Sequence, residues 1–215
     1  MVLAMLLSTS PCSFHETLVA EPRDYAEWHR GRMRYGVWML PIQCPDLLAH
    51  IERVASELAD LLHPSRRQPH ITLFVCGFEQ PCRQYNDDFT TAQLQQQMVA
   101  LEALEQSPCT LQIGAVDSFA SAALLTVADP EGYLARWRQA LAAGCSEVRQ
   151  AAYVPHLTLG LYRRTVPAAE LRQRLADVPH TDGVALPVSC VEYATYSSTD
   201  MFGPLSCQKR VYWQR

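Results

Sequence analysis

Lysine is almost absent from this chain of 215 residues: Lys209 is the only one, so arginine carries nearly all of the positive charge. A guanidinium is a planar fork that grips a phosphate through two parallel hydrogen bonds, although most surface arginines simply stay solvated. Nor is positive charge in excess, since 18 basic side chains stand against 22 acidic ones for a formal net charge of -4. That balance excludes a nonspecific nucleic-acid coat, which needs a broadly basic face. A nucleotide or an RNA end, which asks only for a local basic pocket, remains open.

Other absences narrow the chemistry. The eight cysteines contain no C-x-x-C pair, and no P-loop, dinucleotide-binding glycine fingerprint, G-x-S-x-G elbow or H-E-x-x-H helix occurs. A catalytic zinc takes three protein ligands, usually at such recognisable spacings, so no metal and no cofactor is expected. Cys76 and Cys190 sit in apolar runs, where a reduced cysteine is a small hydrophobe, and a disulfide framework is the weaker reading. The opening MVLAMLLSTSP faintly resembles a secretory signal but lacks a positive start and a cleavage site, and Cys12 follows it. No segment approaches the roughly 20 apolar residues that span a bilayer. A cytoplasmic monomer without a membrane partner is expected.

What is present is a foldable core: 48% of the residues are hydrophobic and 19% charged, enough for one domain or two intimately packed halves. Residues 1–33 read as a partly irregular extension with a helical stretch near 24–30, and 34–215 as a single domain. Strands are predicted at 35–40, 70–78, 110–116, 123–127, 156–162, 184–196 and 206–213. Leu47, Leu48, Ile51, Val54, Ala55, Leu58, Leu61 and Leu62 recur at helical spacing, giving about four to five turns. Further helices are predicted from Thr90 or Thr91 to about Ser107, from Pro130 to Ala143 and from Pro167 to Ala176. Each half places a long helix before a strand that opens with Pro-His, which looks like a distant internal duplication.

Those two strands carry the informative residues, Pro69-His70-Ile71-Thr72-Leu73 and Pro155-His156-Leu157-Thr158-Leu159. Side chains alternate along a strand, so His70 and Thr72 share one face while Ile71 and Leu73 enter the core. The same alternation sets His156 and Thr158 against Leu157 and Leu159. A bare H-x-[ST] means little, for His15-Glu16-Thr17 and His63-Pro64-Ser65 match it too. Only the copies at 70 and 156 join a preceding proline to apolar residues at both alternate positions.

With both motifs intact, the chain resembles the 2H phosphoesterase superfamily, especially its bacterial 2′-5′ RNA ligase-like, RNA 2′,3′-cyclic phosphodiesterase branch, over residues 34 to 213. The terminal hairpin, with Tyr196-Ser197-Ser198 and Gly203-Pro204-Leu205, looks like the closing strands of that family. Phe74-Val75-Cys76-Gly77 and Gly160-Leu161-Tyr162-Arg163 diverge from its best-known members, which leaves the substrate open. The resemblance implies an α+β, two-lobed fold, with duplicated antiparallel sheets lining a central cleft and helices outside. It also implies a metal-independent phosphodiesterase with His70 and His156 catalytic and Thr72 and Thr158 on the substrate phosphate. The expected partner is a nucleotide or an RNA terminus with a cyclic phosphate, with His156 activating water and His70 protonating the departing 3′-oxygen. Tyr162, Arg163, Trp38 and Tyr196 are candidate substrate contacts, and Trp28-His29-Arg30-Gly31-Arg32 a candidate flap over the cleft. Two other readings stand: a phosphodiesterase or ligase of 2′-5′ oligonucleotides or cyclic nucleotides, and a noncatalytic nucleotide- or RNA-binding module.

Overall fold

The computed structural model describes residues 6–9, 14–104, 108–149, 151–179 and 183–213. The first five residues, Cys12 and the helix end expected at Ser107 lie outside them. The first half runs α1 (Ala26–His29), β1 (Arg34–Pro41), α2 (Pro45–Glu57), β2 (His70–Glu79), β3 (Asp88–Phe89) and α3 (Thr91–Glu102). The second half runs β4 (Cys109–Ser118), β5 (Ala122–Ala128), α4 (Tyr133–Ala142), β6 (His156–Leu161), α5 (Ala168–Ala176), β7 (Val184–Val188), β8 (Cys190–Ser197) and β9 (Ser206–Tyr212).

Local chemistry accounts for most of these boundaries. Pro45 sits in the first turn of α2, where its missing N–H costs nothing, and Leu47, Ile51 and Val54 face the core. The helix stops at Glu57, short of the expected end; the turn beyond it still buries Leu58, Leu61 and Leu62. Thr90 and Gln93 form a reciprocal capping box at the start of α3. α4 starts at Tyr133 because Gly132 takes a left-handed conformation (φ 73°), so the predicted start at Pro130 is three residues early. The single strand predicted over 184–196 is two strands broken at Ser189, each joining a different lobe.

Among the described residues the strands form one sheet in the order β7-β4-β5-β6-β2-β1-β8-β9, with β3 beside β2. The path is mirrored about its middle: β6-β5-β4-β7 answers β2-β1-β8-β9, and the units β1-α2-β2 and β5-α4-β6 correspond. This is the duplication suspected from the two Pro-His strands. The two lobes meet where β2 and β6 pair antiparallel through Ile71 and Leu157. The main apolar core, with Trp38, Ile71, Leu73, Trp137 and Leu157, fills the helix side of the sheet. A smaller cluster of Tyr35, Val37, Met39, Phe78, Ala194 and Leu205 lies apart from it.

The N-terminal segment has little regular structure yet is firmly attached to both lobes. Leu7, Leu18 and Ala20 donate backbone N–H groups to Ser118, Ala120 and Tyr162 of the second lobe. Farther along, buried Arg32 pairs with Asp87 (2.6 Å) and Asp88 (2.7 Å) of the first lobe and lies over the Phe78 ring. Burying this charge is tolerable only because two carboxylates answer it. No helix among the described residues is long and apolar enough to cross a membrane.

Candidate active site

The pairing of Ile71 with Leu157 decides how the two motifs meet. In an antiparallel pair the flanking residues oppose one another, which sets His70 across from Thr158 and Thr72 across from His156. Directly opposed side chains on one face have Cβ atoms about 4.5–5.5 Å apart, so the four groups form a compact quartet. Ile71 and Leu157 are fully buried beneath it, which fixes the facing of the other four.

Each histidine is oriented in the same way. His70 Nδ1 lies 2.8 Å from the Gln68 carbonyl, and His156 Nδ1 lies 2.6 Å from the Val154 carbonyl. A carbonyl oxygen can only accept, so Nδ1 carries the proton in both rings and Nε2 presents its lone pair. The intervening prolines keep the residue before them extended, leaving that carbonyl free to meet the ring two positions on. Pro69 and Pro155 themselves accept backbone hydrogen bonds from Ile42 and Val127, both at 3.3 Å, so the duplication extends to the scaffold of the histidines. Among the described residues no protein group takes up the hydroxyl of Thr72 or Thr158.

Both rings are half-buried by accessible area but crowded by the cleft walls, and both are held neutral. Burial is the main cause of a His70 pKa lowered to about 4; the Gln68 carbonyl pulls upward, while Arg67 and His156 push down. His156 is lowered for the same reason, opposed by the Val154 carbonyl and assisted by Arg149. The Phe119 ring meets His156 edge-on at 4.9 Å. The second lobe also braces β2: Arg138 and Tyr153 donate to the carbonyls of Leu73 and Thr72, and Glu147 accepts from the Val75 N–H.

Two cavities border the quartet; His70 and Thr72 line both, Thr158 lines one, and His156 lines neither. One of about 580 Å³ runs beneath α2, lined by His70, Thr72, Thr158, Leu159 and the loop residues Met201 and Phe202. The other, about 260 Å³, is lined by His70, Thr72, Arg67, Arg149 and the aromatic residues Trp28, Tyr35 and Tyr196. Gln68 exchanges hydrogen bonds with the backbone of Leu205 (2.8 and 3.3 Å), latching the β8–β9 loop against the strand that begins at His70. His63, in one of the two decoy motifs, is bonded to the Ala20 carbonyl at 2.7 Å.

Several predicted contacts lie elsewhere. Trp38 is fully buried on the helix side, donating to Gln97 Oε1 at 2.7 Å. Its neighbours Val37 and Met39 fall in the smaller apolar cluster instead, because adjacent strand residues take opposite faces. Tyr162 is also fully buried, its hydroxyl 2.6 Å from Ser118 Oγ. A bulge is the reason: Leu124 pairs with Thr158 and Ala123 with Gly160, so Leu159 is an extra residue and the alternation flips beyond it. Leu159 therefore lines the larger cavity and is only half-buried, and Tyr162 turns away from the face of His156. Arg163 is exposed and lines neither cavity. Tyr196 does reach the smaller cavity, but Arg67 covers its ring at 4.0 Å, so it supports a guanidinium there. Of the candidate flap, Trp28 lines the same cavity, while Arg32 is a structural anchor.

The sequence reading passed over Arg67, Arg149 and Phe119. Arg67 stands three residues before His70 and had a positional signal; Arg149 and Phe119 had none. Among the described residues no three His, Cys, Asp or Glu side chains converge as a metal site requires.

Comparison with known proteins finds the same fold. The structure is similar to that of E. coli LigT complexed with 3′-AMP, at TM-score 0.57 and 14% identity, covering 85% of this chain and 99% of that one. It is equally similar to TT0787 of Thermus thermophilus, at TM-score 0.57 and 13% identity, covering 83% of this chain and 97% of that one. A search of curated proteins finds no match. The model of the 2′-5′ RNA ligase superfamily matches residues 44–190, well over half of the chain and inclusive of both histidine motifs. The chain therefore belongs to the 2′-5′ RNA ligase superfamily of 2H phosphoesterases.

Proposed function

We propose that the protein is a metal-independent phosphodiesterase of nucleotides or RNA ends that opens a 2′,3′-cyclic phosphate to leave a 2′-phosphate. The observation that carries this reading is the matched pair of imidazoles, each tethered through Nδ1 and presenting Nε2 beside a free threonine hydroxyl. In-line displacement needs a base on the attacking water and an acid on the leaving oxygen, on opposite sides of phosphorus. Two rings set diagonally on neighbouring strands supply the base and the acid, and the hydroxyls of Thr72 and Thr158 donate to the two non-bridging oxygens as charge develops there.

The electrostatics favour a division of labour opposite to the one expected from sequence. His70, the more strongly held in its neutral form, takes the proton of water; His156 carries a proton to the 3′-oxygen as the P–O3′ bond breaks. That proton arrives with the substrate, whose anionic phosphate favours an imidazolium beside it. The complexes of E. coli LigT with 3′-AMP and with ATP support a nucleotide as the occupant of such a cleft.

A second reading, cleavage of a linear 2′-5′ diester, draws on the two cavities. His70 and Thr72 border both, which gives room on either side of phosphorus for the two arms of a linear substrate. Both readings are tested by incubating the protein in EDTA with nucleoside 2′,3′-cyclic phosphates and 2′-5′ oligomers, with products resolved by chromatography. His70→Ala and His156→Ala should each lower turnover at least about 10²-fold. Full activity in either variant refutes the scheme.

A further inference from the structure

The smaller cavity holds more positive charge than one reacting diester uses. Arg67 and Arg149 both line it, and no aspartate or glutamate does, in a chain whose net charge is negative. Arg67 is fixed in place: its Nε donates to the Gly203 carbonyl at 3.2 Å and its guanidinium lies 4.0 Å over Tyr196. Among the described residues its Nη2 is nevertheless buried without a hydrogen-bond partner, a costly state for a charged donor. Arg149 is scarcely better paired. Its closest carboxylate is Glu147 at 3.7 Å, and both oxygens of Glu147 are already engaged, one by the Val75 N–H and one by Arg138 at 2.6 Å. Both arginines are thus built into the wall with donors to spare, in an aromatic setting of Trp28, Tyr35 and Tyr196 that weakens competition from water.

We propose that this cavity is a second phosphate subsite, in which Arg67 and Arg149 hold a phosphate of the substrate other than the one that reacts. A diester at the quartet has only two non-bridging oxygens, which the two threonine hydroxyls address. A further phosphate, one ribose away, brings up to two negative charges and three acceptor oxygens to a pair of guanidinium forks. The preferred substrate class is accordingly a nucleotide with a second phosphate, such as the last residue of an oligonucleotide or a 5′-phosphorylated cyclic nucleotide. Trp28, which precedes the segment matched by the superfamily, lines the cavity from the N-terminal segment.

The inference rests on the cleft being a nucleotide site, and equilibrium binding separates its fate from that of the proposed reaction. The full chain is titrated by calorimetry with adenosine 2′-monophosphate and with adenosine 2′,5′-bisphosphate. The bisphosphate should bind at least about tenfold more tightly, as one added charge-assisted contact provides. In Arg149→Met, shown to melt like the native protein, that advantage should shrink to less than about threefold, and Arg67→Met should shrink it likewise. The comparison of the two ligands on the native protein needs no variant. Equal affinity for both, binding of neither, or an advantage that survives both substitutions overturns the subsite. Preference for the bisphosphate without hydrolysis of any cyclic phosphate would keep the subsite and discard the enzyme; hydrolysis without preference would do the reverse.

Discussion

Proton titration of the cleft offers the most direct test of its electrostatics. The proposed mechanism requires one ring protonated and the other neutral, so kcat/KM, which reports the free enzyme, should follow a bell bounded by the two histidine pKa values. The lower bound is His70 at about 4, and the upper bound, His156, lies below its ordinary 6.5. The optimum of kcat/KM therefore falls on the acid side of 6.5. One unit above the upper pKa only about a tenth of the molecules hold the needed proton, so at about pH 7.5 kcat/KM is at most about a tenth of its maximum. Beyond that it declines roughly tenfold per unit. Bound substrate works in the opposite direction, since an anionic phosphate favours the imidazolium, and the alkaline limb of kcat should lie higher than that of kcat/KM. Initial rates at low and saturating substrate across about pH 4 to 9, at constant ionic strength, give both profiles; NMR titration of the two rings gives the pKa values independently. An alkaline limb of kcat/KM above about pH 7, or rings that titrate at their ordinary value, refutes the reasoning. Stability carries the same sign. The folded pKa of His70 is below the unfolded one, so its contribution is present above 6.5 and is lost as the pH falls toward about 4. The acid-induced drop in Tm should be smaller in His70→Ala.

Further substitutions probe separate parts of the structure. If His156 is the acid, His156→Ala should keep most of its activity on a nucleoside p-nitrophenyl phosphate, whose leaving group needs no proton; His70→Ala should not, and the opposite pattern reverses the two roles. Thr72→Val and Thr158→Val should each cost about 10²-fold in kcat with a smaller change in KM, as for loss of one oxyanion donor, which steady-state kinetics would show. Gln97→Leu strips partners from the Trp38 Nε1–H and the Leu141 carbonyl, both buried. It should destabilise the protein by about 2–4 kcal/mol, a Tm drop of roughly 5–12 °C, read by thermal unfolding.

The quartet was legible in the chain because a strand has a period of two, and Pro-His-Ile-Thr-Leu and Pro-His-Leu-Thr-Leu state the facing and, except at Leu159, the core partners. The same rule failed where the ladder is irregular. Counting by twos from His156 puts Tyr162 in the cleft; one extra residue at Leu159 puts it in the core. Trp38 failed for a related reason, since knowing that it lies on a strand does not tell which face of that strand is covered by helices. Arg67 and Arg149 are two arginines among many, and what separates them is the scarcity of acceptors around them, a property of neighbours distant in the chain.

The amino-acid sequence by itself thus determined the two histidine-threonine couples and the duplicated strand-helix-strand plan, because each follows from local periodicity and residue type; the class of chemistry came with the family resemblance that those couples carry. Tertiary structure alone decided that the couples meet through Ile71 and Leu157, which ring is held neutral most strongly, and which arginines are short of acceptors. Those outcomes depend on burial and on contacts between residues tens of positions apart, and no local pattern encodes either.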